Sequence, residues 1–154
     1  MKKIAVFPGS FDPVTRGHQN IVERASIIFD EVIVAIGVNS SKASLFTLDQ
    51  RLAWLKKVFQ DNPKVQVVSY QGLTVDYCKT VGSNFLIRGV RNISDFEYEK
   101  TIAQMTKYMD EGLETVILFT DPEYAAINST VVREIIRNKG NVARFVPTAI
   151  DVYA

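Results

Sequence analysis

The stretch Phe7-Pro8-Gly9-Ser10-Phe11-Asp12-Pro13-Val14-Thr15-Arg16-Gly17-His18 joins two different patterns. Before it, Ile4 to Phe7 is an apolar run that reads as a buried strand. After it, Ile21, Val22, Ala25, Ile28 and Phe29 recur at the spacing of one helix face. A strand therefore feeds a polar loop that feeds a helix, and His18 falls in the first helical turn. Such a junction aims unpaired backbone N–H groups and the positive end of a helix dipole beyond the strand, which favours a phosphate. Gly9 and Gly17 leave room for the backbone to approach a ligand, and the two prolines stiffen the loop. By itself the segment is equally compatible with an ordinary βα turn carrying a surface histidine.

Outward from this junction, strand and helix patterns alternate. Glu31 to Gly37 is a nearly continuous apolar run rich in β-branched residues, as expected of a strand covered on both faces. Asn39 to Phe46 is polar loop, and Thr47-Leu48-Asp49-Gln50 is a capping box opening a helix to about Phe59. Val65 to Tyr70 alternates more than the other strands and belongs at a sheet edge. A short helix follows from about Thr74 to Val81, with Gly82 as its left-handed cap. Asn84 to Arg88 is the fourth strand. Ser94-Asp95-Phe96-Glu97 reads as a second capping box, with Ile93 and Tyr98 as a hydrophobic staple. The helix it opens ends at Gly112 and carries Tyr98, Ile102, Met105 and Met109 on one face, a stripe that reads as core or subunit contact rather than a cofactor box. Thr115 to Phe119 is the fifth strand, and a last helix runs from Ser129 or Thr130 to Asn138.

This order predicts an α/β fold: a Rossmann-like five-stranded parallel sheet with helices on both faces, forming one domain over residues 1–154. Ligands of such sheets bind beyond the carboxyl ends of the strands, where strand order reverses. Ser10 and His18, Lys42, Thr74, Arg88 and Arg91, and Ser129 and Thr130 follow the five strands in turn, so all should gather on one edge. Three cations, a histidine and several hydroxyls suit a polyanion. Lys42 is equally readable as a solvated loop lysine. Arg88 directly terminates an apolar strand, where a merely solvated arginine is unexpected.

Composition narrows the classes further. A formal charge of +1 gives no global field for nucleic acid or a membrane surface. The single cysteine, Cys78, permits no internal disulfide, reads as a small apolar helix residue and fits a reducing compartment. No run is long enough for a signal peptide or a membrane span, so a soluble, cytoplasmic protein is expected. There is no Walker A pattern, no G-x-G-x-x-G and no G-x-S-x-G, and a lone histidine makes no zinc site. Phosphoryl or nucleotidyl transfer remains, where catalysis is mainly positioning and charge stabilisation.

Thr15-Arg16-Gly17-His18 resembles the HxGH signature of the nucleotidyltransferase superfamily, with Thr at the first position. Together with Phe7 to Pro13 it resembles the phosphopantetheine adenylyltransferase family. Ser41-Lys42 with Phe46-Thr47-Leu48, Leu86 to Arg91 followed by Asp95 to Glu99, and Ile127 to Glu134 continue the likeness in order along the chain. The resemblance implies transfer of an adenylyl group from ATP to 4'-phosphopantetheine, giving dephospho-coenzyme A and pyrophosphate in coenzyme A synthesis. It also implies Mg2+ bound through the ATP phosphates, with no protein metal ligand, and a homohexamer.

Carried over by position, Ser10, Lys42, Thr74 and Arg88 would hold the phosphopantetheine. Ser10, Phe11, His18, Gly89, Val90, Arg91, Glu99, Tyr124, Ala125, Ala126, Ile127, Asn128, Ser129 and Thr130 would hold ATP. The catalytic roles implied are Lys42 and Arg88 on the acceptor phosphate, His18 on the α-phosphate and Arg91 on the outer phosphates. Ser10 stands where the family often has Thr, Asn128 interrupts a serine run, and Thr130 replaces a Ser. Two other readings stay open: a sister enzyme acting on nicotinamide mononucleotide or an alcohol phosphate, and a nucleotide-binding regulator without turnover. Thr15 in place of the first histidine disfavours the former, and the joint presence of His18, Lys42 and Arg88 disfavours the latter.

Overall fold

Strands β1 (Ile4–Gly9), β2 (Glu31–Val38), β3 (Val65–Gln71), β4 (Phe85–Val90) and β5 (Glu114–Phe119) form one sheet in a computed structural model describing all 154 residues. The sheet order is β3-β2-β1-β4-β5 and every pairing is parallel. The apolar runs are continuous because both faces are covered. Ala5 and Phe7 of β1 and Val32, Val34 and Ile36 of β2 point into a large core with Ile21, Val22 and Ala25 of helix α1 (Arg16–Ile28), Leu55 of α2 (Leu48–Val58), and Val132 and Ile136 of α5 (Ser129–Arg137). The alternate residues Val6, Ile33, Ala35 and Leu86 face a smaller core with Val75 and Cys78 of α3 (Thr74–Val81). Helix α4 (Ile93–Met109) lies along β4 and β5. β3 is an edge strand with only half-buried and exposed residues, as its alternation predicts.

The chain winds outward from β1 through β2 to β3, then returns to place β4 on the other side of β1. The loops after β1 and β4 therefore diverge and leave a crevice between them. Beyond α5 the chain forms no regular element, yet Val142, Val146, Ile150 and Val152 complete the larger core. The Arg16 side chain ties this tail to α1 by donating from Nε to the Val146 carbonyl (3.0 Å) and from Nη2 to the Ala143 carbonyl (2.9 Å).

The Thr47 capping box forms as spaced: Gln50 N donates to Thr47 Oγ1 (3.2 Å), and Gln50 Oε1 accepts from Thr47 N (2.9 Å). Gly82 adopts the left-handed cap, φ 69°. The start of α4 differs from expectation. Asn92, not Ser94, is its cap, and Asn92 Oδ1 accepts from Asp95 N (2.9 Å). Ser94 already lies inside the helix. Ile93 and Tyr98 are both exposed and make no staple, and the helix ends at Met109 rather than Gly112. Tyr98, Ile102, Met105 and Met109 are all exposed, so their stripe is not core of this chain.

Candidate active site

Thr15 and His18 build the first piece of the site. Thr15 caps α1, and its Oγ1 accepts from His18 N (3.3 Å) while the Thr15 N–H donates to His18 Nδ1 (3.0 Å). This is a capping box with histidine in the position usually filled by Glu or Gln. The four-residue spacing of the motif thereby fixes the imidazole. Because Nδ1 accepts, the neutral ring carries its proton on Nε2, which the protein leaves without a partner. The Phe11 ring packs edge-on against His18 (centroids 4.9 Å apart) and against Phe7 (5.4 Å). Phe11 reaches that position with φ at 46°, a left-handed conformation uncommon for a side-chain-bearing residue. A Cβ at Gly9 would come within 3.0 Å of its ring, which explains glycine there.

Burial of the imidazole, with the Arg88 charge and then the Arg91 charge adding to it, lowers the His18 pKa to about 4. His18 is the only histidine, so its Hε1 resonance in the free protein is expected to titrate near pH 4 instead of near 6.5. Between those values the unfolded chain binds a proton that the folded chain refuses. Stability should therefore fall as pH drops from about 6.5 to about 4, and less so in a His18→Asn variant. NMR titration and denaturant unfolding across that range check both statements.

Two clefts open on this edge. The first, of about 410 Å³, is lined by Ser10, Phe11, Gly17, His18, Gly89, Arg91, Asp95 and Ile127 to Thr130. The second, of about 460 Å³, is lined by Lys42, Tyr70, Leu73, Thr74, Ile102 and Thr106 among others. Each volume is that of a small-molecule site. Pro8, Gly9, Ser10, Arg88 and Glu99 line both. The clefts thus adjoin at the carboxyl ends of β1 and β4.

Most of the residues read from sequence meet here. Val90 does not: its side chain is buried in the interior. Tyr124, Ala125 and Ala126 lie on the 3-10 turn Pro122–Tyr124 and just after it, and do not line the first cleft. Asn128 caps α5, with Oδ1 accepting from Thr130 N (2.8 Å). Thr74 shares a hydroxyl hydrogen bond with Tyr70 (2.7 Å).

The cations are less free than the sequence implies. Arg88 donates from Nε and Nη2 to the two carboxylate oxygens of Glu99 (both 2.7 Å) and from Nη1 to the Pro8 carbonyl (2.9 Å). Glu99 is 7% exposed, and its carboxylate serves to hold Arg88. Arg91 is gripped likewise by Asp95 (Nε, 2.8 Å; Nη2, 3.2 Å) and by the Ile127 carbonyl (2.8 Å). The Arg91 hydrogen bond lowers the Asp95 pKa below its ordinary value. Two N–H groups of each guanidinium stay available, and their directions are set in advance. Lys42 is exposed and makes no ion pair, so it is the unpaired cation of the three. No group of three or more His, Cys, Asp and Glu side chains could hold a metal ion. Asp95 and Glu99 are both taken by arginines.

Residues 6–135 match the cytidylyltransferase-like family, so fold and site together define a nucleotidyltransferase. The sheet arrangement recurs at 16% identity, with a TM-score of 0.73, in the solved structure of a bifunctional NMN adenylyltransferase/ADP ribose pyrophosphatase from Francisella tularensis, over 95% of this chain and 45% of that one. The chain is 47% identical over 148 residues to the phosphopantetheine adenylyltransferase of Flavobacterium psychrophilum, covering 96% of this chain and 97% of that protein. It is also 47% identical to that of Lachnoclostridium phytofermentans, covering 96% of this chain and 91% of that protein. It belongs to the phosphopantetheine adenylyltransferase family.

Proposed function

We propose that this enzyme transfers the adenylyl group of ATP to 4'-phosphopantetheine, giving dephospho-coenzyme A and pyrophosphate, by direct in-line attack without a covalent enzyme intermediate. The observation that carries the reading is the pair of adjoining clefts that share Ser10, Arg88 and Glu99. ATP takes the first, with its α-phosphate at His18 and its outer phosphates at Arg91. Phosphopantetheine takes the second, with its phosphate between Lys42 and Arg88 and its pantetheine arm toward Leu73 and Ile102.

The acceptor phosphate carries about −1.5 to −2 charge near neutral pH and needs no base to become a nucleophile. The obstacle is repulsion between two polyanions. Lys42 and Arg88 offset it on the acceptor side. His18, neutral and with Nε2–H free, donates to the α-phosphate as charge develops there. When bound through the ATP phosphates, magnesium would supply charge neutralisation there, with no residue of this chain assigned as its ligand. The same reading extends to a cytoplasmic homohexamer. The exposed Tyr98 and Met105 of α4 support assembly, and no helix is long and apolar enough to cross a membrane.

Pyrophosphate release from ATP with 4'-phosphopantetheine, and not with nicotinamide mononucleotide, tests the assignment. Release with the latter alone would overturn it. Within that assay Lys42→Ala should raise the KM for phosphopantetheine by about tenfold or more, the worth of one charge-assisted hydrogen bond, with ATP affinity nearly unchanged. Loss of ATP binding with the acceptor still bound would reverse the placement of the two substrates.

A further inference from the structure

Two buried charged side chains beside the clefts have no role in the chemistry above, and neither forms an ion pair. Asp12, 6% exposed, lies in the loop between β1 and α1. Its Oδ2 accepts from Leu45 N (2.8 Å) and its Oδ1 from Phe46 N (2.9 Å), both in the loop between β2 and α2. Arg51, 8% exposed, works in the opposite direction from α2. Its Nη1 donates to the Ser10 carbonyl (2.8 Å) and its Nε to the Phe46 carbonyl (3.2 Å). Both charges are satisfied by backbone instead of by an opposite charge, Asp12 wholly across the gap and Arg51 through one bond across it and the rest to the end of its own loop, so the two loops are stitched from both sides. Arg133 on α5 adds a hydrogen bond to the Asp12 carbonyl (3.2 Å).

One of these loops carries Ser10 and leads to His18, and the other carries Lys42. Residues Asn39 to Ser44 are exposed. They are held at their start, where Asn39 Oδ1 accepts from Ser41 N (3.0 Å), and just past their end by Asp12. The Lys42 ammonium is long and without an ion-pair partner, so its reach is set by where the loop is anchored. We infer that Asp12 is a positioning residue that fixes the acceptor-binding lysine relative to the nucleotide-binding loop, with Arg51 holding the same joint from the other side. The inference rests on the proposed assignment of Lys42 to the acceptor phosphate.

Asp12→Asn tests it. Asparagine keeps the shape but offers one acceptor oxygen where two N–H groups need one each. The KM for phosphopantetheine is expected to rise by about tenfold while the KM for ATP stays within about twofold. In the double variant with Lys42→Ala, the loss in kcat/KM for the acceptor should be no greater than in Lys42→Ala alone, because Asp12 acts through that lysine. Losses that multiply, or equal increases in both KM values, would overturn the inference. If Asp12→Asn fails to fold, Arg51→Lys loosens the joint from the other loop and should give the same split between substrates. Amide exchange at Leu45 and Phe46, faster in Asp12→Asn than in the wild type, reads the joint without turnover; unchanged exchange would also overturn it. A wild type that releases no pyrophosphate with phosphopantetheine would defeat the proposed acceptor and leave the exchange result to decide the joint.

Discussion

His18→Ala is expected to lower turnover by about 10²- to 10³-fold, the loss typical of one transition-state donor, while ATP binding changes far less. Three observations lead to that size. The Thr15 N–H holds Nδ1, so the proton sits on Nε2. The edge contact with Phe11 fixes the ring plane. Burial and the two arginine charges keep the ring neutral, with a pKa of about 4, so it is a donor throughout the pH range in which the acceptor phosphate is dianionic. A base with that pKa would have little drive to take a proton, and the acceptor has none to give once doubly ionised. His18→Asn separates the roles, since asparagine donates a hydrogen bond but does not accept a proton at these pH values. Partial recovery relative to alanine, measured as single-turnover rates at saturating substrates, is the result expected of a donor. Alanine also removes the acceptor for Thr15 N, so a loss of stability of about 1–3 kcal/mol, the cost of a buried donor left without a partner, should accompany it. Unchanged turnover in a correctly folded His18→Ala variant would remove the histidine from the mechanism.

The sheet was legible because its signals are local. A strand covered on both faces must be apolar throughout, as Glu31 to Gly37 nearly is, and an edge strand need not be, as Val65 to Tyr70 shows. The site was legible as a set of residue types on one sheet edge, but its pairings were not. Glu99 is eleven residues from Arg88 and one element away, and no periodicity ties a strand-end arginine to a carboxylate on the next helix. Asp12 is satisfied by backbone N–H groups of Leu45 and Phe46, and backbone donors leave no mark on residue identity. The misplaced α4 cap has a related cause. Asn92 and Ser94 both suit the start of a helix, and the choice falls to Asn92 because Asp95 turns its carboxylate to Arg91 while its N–H bonds Asn92. One signal could have been read earlier: Thr15-x-x-His18 has capping-box spacing, hidden only by a histidine at the third helical position.

Arg88→Lys is expected to reduce turnover by about 10²-fold or more although the charge is kept. The guanidinium performs three tasks at once: it binds both oxygens of Glu99, it donates to the Pro8 carbonyl at the end of β1, and it keeps two further N–H groups for phosphate oxygens. A lysine ammonium is a single point on a flexible stem. Drawn to the buried Glu99 carboxylate, it leaves the clefts, and drawn to a phosphate, it leaves Glu99 short of a partner, which costs about 1–3 kcal/mol of stability. Arg88 lines both clefts, so the lysine variant should weaken both substrates as well as the rate. Lys42 lines only the second cleft, so its loss should fall on the acceptor alone. Separate binding measurements for ATP and phosphopantetheine, beside single-turnover rates and thermal unfolding, distinguish these patterns. Near-normal turnover with intact binding of both substrates would reduce Arg88 to a structural partner of Glu99. The contact between the two substrates would then have to rest on Ser10, His18 and Lys42.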